Sequence, residues 1–410
     1  MVVQLIGEVE SGRFLDDAVD EIFSRTRLSD PQKGLVYQIV SGVVRWRGYL
    51  DLVLSRYAKK HIDKDVRYLL LMSIYQIGFM KKAHYHVAKE AVEFAKREKG
   101  KHVAGFVNAV LRRFVQDREL PAFSSDRLIG YTFPAWLTKR WTERFGKEGV
   151  NKLFSSLNRE PEFTLRIDTR RMAVDEAIDL LGHLGVTVRK GLFSPCAVIV
   201  DRLSPVLKSS LFREGLIHVQ DEASQLTGMT VQGTKGRVIL DACAGSGTKT
   251  HQVRQLLPDA LVIPMDTDKK RLFLSTDRQN GLCGDALQPP FRRESFDVIL
   301  VDAPCSSLGI IRKHPEIKWN RQEKEIAAFG AYQLSLVRSL WELLKAGGSM
   351  IYSVCSFEPE ETFDIIENLS KEKKFILEKP LPFLFNKEYF LSLPHETTMD
   401  GFFITRMKKL

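Results

Sequence analysis

Through residues 1 to about 120, apolar positions recur every three or four residues, the period of helices that bury one face. Ala18-Val19-Ile22-Phe23, Leu35-Val36-Ile39-Val40-Val43, Leu50-Leu52-Val53-Leu54, Leu69-Leu70-Leu71-Ile74-Tyr75 and Val103-Phe106-Val107-Val110-Leu111 carry the pattern. Breakers and capping residues such as Ser29-Asp30-Pro31 divide it, which predicts five or more helices in an all-α domain over 1–120. Pro121-Ala122-Phe123-Ser124-Ser125 reads as a linker. The pattern then mixes. Strands are expected at Phe163–Ile167, Val186–Val188, Ala197–Val200 and Ile217–Val219, with helices around Trp136–Phe145 and Asp175–Leu184, giving a small α+β unit over 126–225.

From 226 to 410 short apolar runs alternate with helical stretches, the order of a Rossmann-like, mainly parallel sheet. Strands are expected at Arg237–Leu240, Leu261–Met265, Asp297–Val301 and Ser349–Val354, with late strands at Phe375–Leu377 and Phe402–Thr405. Helices are expected near 248–257, from Lys270 to Arg278, from Tyr332 to Leu344 and near 360–369. The run Val298–Val301 is continuously apolar, as in a strand buried on both faces, and ends in Asp302-Ala303-Pro304-Cys305. Fifty residues on, Ala346-Gly347-Gly348 leads a second strand into Cys355. Ligands of open α/β sheets bind outside the carboxyl ends of the strands, so two cysteines and an aspartate should meet over one pocket.

Composition narrows the field. Hydrophobic content of 44% and charged content of 27% are those of an ordinary globular protein, and no apolar run reaches the length of a membrane span. Five scattered cysteines without a C-x-x-C pair suggest free thiols in a reducing cytoplasm, and neither a disulfide framework nor a metal site. A monomer is expected. The net charge of +10 points to a polyanionic partner. Residues 1–120 hold 21 Lys+Arg against 15 Asp+Glu, a net +6, densest at Arg45-Trp46-Arg47, Lys59-Lys60-His61, Lys81-Lys82 and Arg112-Arg113.

The loop Asp241-Ala242-Cys243-Ala244-Gly245-Ser246-Gly247-Thr248-Lys249-Thr250 follows the first strand of the α/β region. Its Gly-x-Gly lets backbone approach a nucleotide-like ligand, but the third glycine of a dinucleotide fingerprint is missing. Thr248 stands where a P-loop needs glycine. Asp266, ending the next strand, suits ribose hydroxyls, and Asp285 suits an adenine amine. Together these point to S-adenosylmethionine. Methylating carbon 5 of a cytosine requires a thiolate to add first at carbon 6, and an acid near the third ring nitrogen. Asp302 is the candidate acid, and spacing leaves open whether Cys305 or Cys355 is the nucleophile.

At these residues the chain resembles the Sun/RsmB family of RNA cytosine-5 methyltransferases, which act on small-subunit ribosomal RNA. Asp302-Ala-Pro-Cys-Ser306, Arg312-Lys-His-Pro-Glu-Ile-Lys-Trp319, Tyr352-Ser-Val-Cys-Ser356, Pro359-Glu-Glu361 and Asp400-Gly-Phe-Phe403 carry the likeness. The N-terminal helices resemble the family's NusB-like RNA-binding domain through Val43–Arg47, Leu70–Gln76, Val87–Val92 and Phe106–Phe114. The resemblance implies that Cys355 attacks the base, that Cys305 assists release of the product, and that Asp302 serves base and cofactor. It assigns Cys243, Ala244, Gly245, Ser246, Gly247, Thr248, Lys249, Asp266 and Asp285 to cofactor contacts. Trp46 and Trp319 are expected to pack rather than stack on bases. Thr248 replaces a glycine of the family loop, and the short run before Gly284-Asp285 predicts a shortened or missing third strand. A catalytically weakened RNA-binding assembly factor is the competing reading.

Overall fold

The computed structural model describes every residue except 59–61, 118–129, 235–236 and 275–280. The expected linker at 121–125, the basic spot at 59–61 and the end of the helix expected to Arg278 lie outside the described residues. The chain divides into two compact units. One comprises Met1–Arg159 with Ile311–Glu323, the other Glu160–Ile310 with Lys324–Leu410.

The first unit is helical. Its long helices are Val2–Glu10, Leu15–Ser24, Asp30–Tyr57, Lys64–Gly78, His84–Lys99, Lys101–Gln116 and Ala135–Leu157. The Gln32 side chain accepts from the Ser29 backbone N–H at 2.9 Å, closing a capping box that starts the third helix. The apolar groups at 35–43 and 50–54 lie on this one 28-residue helix. Gly48 is required on it, because a Cβ there would meet the Tyr131 carbonyl oxygen at 1.9 Å. The segment Ile311–Glu323 is anchored within this unit. Buried Lys318 donates to the Arg45 carbonyl at 2.7 Å and to Asn158 Oδ1 at 2.9 Å, with its ammonium 4.2 Å from the centre of the Phe133 ring. Trp319 Nε1 donates to the Val44 carbonyl at 2.8 Å, and the Glu316 carboxylate accepts from Leu15 N–H at 3.1 Å.

The second unit holds two sheets. A four-stranded antiparallel sheet in the order β2-β3-β1-β4 uses β1 (Phe163–Ile167), β2 (Val188–Lys190), β3 (Ala197–Val200) and β4 (Ile217–Val219). The larger sheet runs β10-β12-β9-β8-β5-β6-β7, with β11 pairing β12. Its strands are β5 (Val238–Asp241), β6 (Leu261–Asp266), β7 (Leu282–Cys283), β8 (Phe296–Asp302), β9 (Leu344–Val354), β10 (Phe375–Glu378), β11 (Tyr389–Ser392) and β12 (Phe402–Lys409). β5, β6, β7, β8 and β9 pair parallel, and β12 closes antiparallel on β9, β10 and β11. Strand β7 has two residues, the expected shortening.

Some boundaries differ from expectation, among them the strand expected at Val186–Val188, which runs Val188–Lys190. The helix expected from Tyr332 to Leu344 runs from Glu323 to Trp341, and Leu344 instead opens β9. The turn at Ala346–Gly348 is absorbed into β9 as a bulge: Leu344 pairs with Phe296 and Ser349 with Val298, so five steps on β9 match two on β8. The central strand is fully enclosed. Val298, Ile299, Leu300 and Val301 are at most 1% exposed, and burying each contributes on the order of 2 kcal/mol. Asp302 therefore projects from a rigid support.

Candidate active site

In the larger sheet the chain runs outward from β5 to β6 and β7, then returns to β8 on the other side of β5. That reversal is a topological switch point, where the loops at the strand ends part and leave a crevice. The loop after β5 and the end of β8 both face it. Asp302 Oδ2 accepts from Lys249 Nζ at 2.5 Å, and its Oδ1 accepts from Ser353 Oγ at 2.8 Å. Burial pulls the Lys249 ammonium down, but the charge and hydrogen bond of Asp302 outweigh it and hold the ammonium above its ordinary range.

Cys355 follows β9 directly, and Cys305 lies in the loop after β8. Their sulfurs are 3.1 Å apart. The two are not equivalent. Cys305 is buried, whereas Cys355 is partly open. The Cys305 thiol, as donor to its neighbour, holds Cys355 below the ordinary thiol range, with the Ser307 hydroxyl assisting and burial opposing. Cys305 is pushed well above that range by the same hydrogen bond and by burial. The pair therefore favours a thiolate on Cys355 and a thiol on Cys305.

A buried carboxylate organises this loop. Glu361 is fully enclosed and accepts from Ser306 N–H at 2.7 Å, and from Ser306 Oγ and Ser356 Oγ, each at 2.5 Å. Gln333 Nε2 reaches the same carboxylate at 3.1 Å and the Pro304 carbonyl at 2.9 Å. Gly309 sits between Cys355 and Gly401, donating to the Cys355 carbonyl at 3.0 Å. A Cβ at Gly309 would meet the Gly401 oxygen at 2.0 Å, so the loop closes on Cys355 only with glycine there.

Gly245 and Gly247 adopt φ of 55° and 80°, and Gly247 caps the helix Thr248–Leu256 that carries Lys249. Asp266 Oδ2 accepts from Gly245 N–H at 2.8 Å and Oδ1 accepts from Asp268 N–H at 2.8 Å, so this acid shapes the loop as well as ending β6. Each oxygen retains a second lone pair for a ligand hydroxyl. Asp285 is exposed after β7, its Oδ1 accepting from Leu287 N–H at 2.9 Å. Nothing lies within 4 Å of where a Gly245 Cβ would stand, so the loop backbone is open to close approach there, as an adenosyl group beside Asp266 would require. Cys243, partly exposed in the loop, is kept a thiol by burial and the acids around it. Among the described residues no group of three or more His, Cys, Asp or Glu could hold a metal, and no helix is long and apolar enough to cross a membrane.

Three family descriptions match the chain: the NusB family over residues 1–116, an RsmF/B-like ferredoxin-like domain over 133–207, and 16S rRNA methyltransferase RsmB/F over 229–408. A Pasteurella multocida protein named ribosomal RNA small subunit methyltransferase B is 31% identical over 432 residues, covering 100% of this chain and 95% of its own length. The chain belongs to the RsmB/F family. A Vibrio cholerae relative with the same name is 31% identical over 419 residues, covering 98% of this chain and 94% of its own. The fold matches the crystal structure of PH0851 at a TM-score of 0.80 and 24% identity, over 100% of this chain and 97% of that one. NSun6 from Pyrococcus horikoshii with SFG matches at 0.58 and 19%, over 68% of this chain and 98% of its own.

Within that family frame, Thr248 is accommodated without distortion. The left-handed positions are Gly245 and Gly247, while Thr248 is the first residue of its helix. The basic residues of the NusB domain separate into two kinds. Lys81, Lys82, Arg112 and Arg113 are exposed. Arg45 instead is 4% exposed and donates to the Arg312 carbonyl at 2.9 Å, and Arg47 pairs with Glu10 at 3.1 Å over the Trp319 ring. Arg45-Trp46-Arg47 is therefore a packing element and not an open basic patch. Trp46 and Trp319 pack against the helical core, as expected. The sequence reading gave no role to Ser307, Ser353, Gln333, Glu361 or Asp241. Ser353 stands two residues before Cys355 in the Tyr352–Ser356 block, and the Pro359-Glu-Glu361 block contains Glu361.

Proposed function

We propose that this chain is a cytoplasmic, monomeric enzyme that methylates carbon 5 of a cytosine in small-subunit ribosomal RNA, through a covalent bond between Cys355 and the base. One observation carries the reading: a partly open thiol favoured as thiolate, 3.1 Å from a buried partner thiol, beside the paired Asp302–Lys249 at the switch point. Amine methylation needs no such thiol pair.

Residues 243–249, Asp266, Asp285 and Asp302 would hold S-adenosylmethionine, which would supply an electrophilic methyl group. Cys355 adds as thiolate to carbon 6 of the ring, moving electron density toward the third nitrogen and carbon 5. Asp302 stabilises that charge by sharing a proton with the ring nitrogen, a proton available through its bond to the Lys249 ammonium. Once carbon 5 carries the methyl group and the spent donor has left as a thioether, the carbon-5 proton passes to a base from solvent, the ring nitrogen returns its proton to Asp302, and Cys355 departs as thiolate with the ring double bond restored. Cys305, the sulfur closest to the departing one, assists this release. The target base must be unstacked to enter the crevice. Residues 1–120 would bind the RNA through exposed lysines and arginines, 226–410 would catalyse, and 126–225 would join them.

The test is methyl transfer from tritiated S-adenosylmethionine to unmodified small-subunit RNA. Wild type should label carbon 5 of cytosine, Cys355→Ala should yield no product, and Cys305→Ala should accumulate a covalent protein–RNA adduct. Absence of both cofactor binding and transfer in the wild type would support an inactive assembly factor instead.

A further inference from the structure

Ser307 is one of four non-glycine residues at positive φ among the described residues, at 62°. A left-handed backbone is costly for any residue with a Cβ, and glycine would adopt it freely. The side chain offsets this by where it sits. Its Oγ lies 3.5 Å from Cys355 Sγ, 3.8 Å from Cys305 Sγ and 3.4 Å from the Cys305 carbonyl oxygen. The turn is pinned on its far side by Ile310 N–H donating to the Ser307 carbonyl at 3.1 Å. The conformation thus places one hydroxyl against both sulfurs.

We propose that Ser307 is a positioning residue: its Oγ accepts from the Cys355 thiol, and once Cys355 is a thiolate its hydroxyl turns from the Cys305 carbonyl to donate a hydrogen bond to the sulfur, orienting it for attack and again when the base is released. The assignment rests on Cys355 being the nucleophile. The hydroxyl has one proton, which rests on the Cys305 carbonyl and can swing to the Cys355 sulfur when that carries a negative charge, while the single Cys305 S–H stays directed at Cys355. The charged and titratable groups around the sulfur are Cys305 on the same loop, Asp302 at the end of β8 and Lys249 on its helix, with Glu361 beyond Cys305. Asp302 opposes a thiolate and Lys249 favours it. Ser307 adds a second neutral donor beside the Cys305 thiol.

Two variants separate hydroxyl from backbone. Ser307→Ala keeps the costly φ and loses the proton, whereas Ser307→Gly loses the proton and removes the backbone cost. Alkylation of Cys355 by iodoacetamide, followed across pH by mass spectrometry of its peptide, reports the thiolate directly without RNA or cofactor. Both variants should shift the midpoint upward by roughly half to one pH unit, a threefold to tenfold loss of thiolate at neutral pH. Turnover should fall by a similar factor with KM for RNA unchanged. A glycine variant with the wild-type alkylation profile would overturn the proposal and leave Ser307 a turn residue. If the alanine variant fails to fold, the glycine variant alone decides. Because alkylation needs no methyl transfer, failure of this assignment is distinguishable from failure of the proposed reaction.

Discussion

Lys249 reaches from the first turn of its helix to Asp302 at the tip of β8, Nζ to Oδ2 at 2.5 Å, and so ties the loop proposed to hold the cofactor to the acid proposed to face the base. Lys249→Met removes the proton that Asp302 shares and leaves a carboxylate beside Cys355 without its counter-ion. Turnover should fall by at least about 100-fold, the scale of a lost acid–base contribution. Single-turnover methyl transfer at saturating cofactor measures this, and a loss below tenfold would remove Lys249 from the proton path.

Glu361 is the acceptor on which Ser306 and Ser356 converge. Glu361→Ala leaves the buried Ser306 N–H and two hydroxyls without a partner, a cost of roughly 3 kcal/mol. The midpoint of urea unfolding should drop accordingly. Glu361→Gln keeps an acceptor and should cost less than half as much.

Asp241 supplies a pH signature. Burial raises its pKa from 3.8 to about 6, against the opposing hydrogen bond from Thr250 at 2.6 Å. An acid with a raised folded-state pKa contributes most below its unfolded value, and that contribution declines as pH rises from about 4 to about 6. Relative to Asp241→Asn, the wild type should therefore lose on the order of 3 kcal/mol between pH 4 and 7. Paired unfolding curves at the two pH values check this, and parallel behaviour of the two proteins would contradict it.

In the helical unit, Lys318 serves the Arg45 carbonyl and Asn158. Lys318→Met strands both acceptors in a buried site and should destabilise by roughly 2–4 kcal/mol. The far-ultraviolet helical signal should melt at lower temperature. Unchanged melting would mean that water replaces the ammonium.

The elements that hydrophobic period alone determines were readable: the helical first third, three of the four short strands of the middle region and the buried run of β8; the strand expected at Val186–Val188 instead runs Val188–Lys190. Asp302 and Cys355 were readable too, because a strand end projects a side chain without help from distant residues. What escaped depends on long-range partners. The bulge in β9 arises from its register with β8, and β11 becomes a strand only by pairing β12. Ser307 looks like an ordinary loop serine until its φ and its distance to two sulfurs are known. Arg45 reads as surface charge because its acceptor, the Arg312 carbonyl, is 267 residues away.

The excursion of Ile311–Glu323 into the helical unit makes the chain cross between units three times, at 159/160, 310/311 and 323/324. A truncation that removes the N-terminal helices is then not a clean excision. It strips Lys318, Trp319 and Glu316 of the Arg45 carbonyl, the Val44 carbonyl and the Leu15 N–H, and leaves a segment with buried Ile317 and Lys318 without its partners in the middle of what remains. The NusB-like module is thus no detachable adaptor. A shortened protein would be expected to aggregate before it could report on RNA affinity, so the two functions are best dissected by surface substitution at Lys81, Lys82, Arg112 and Arg113.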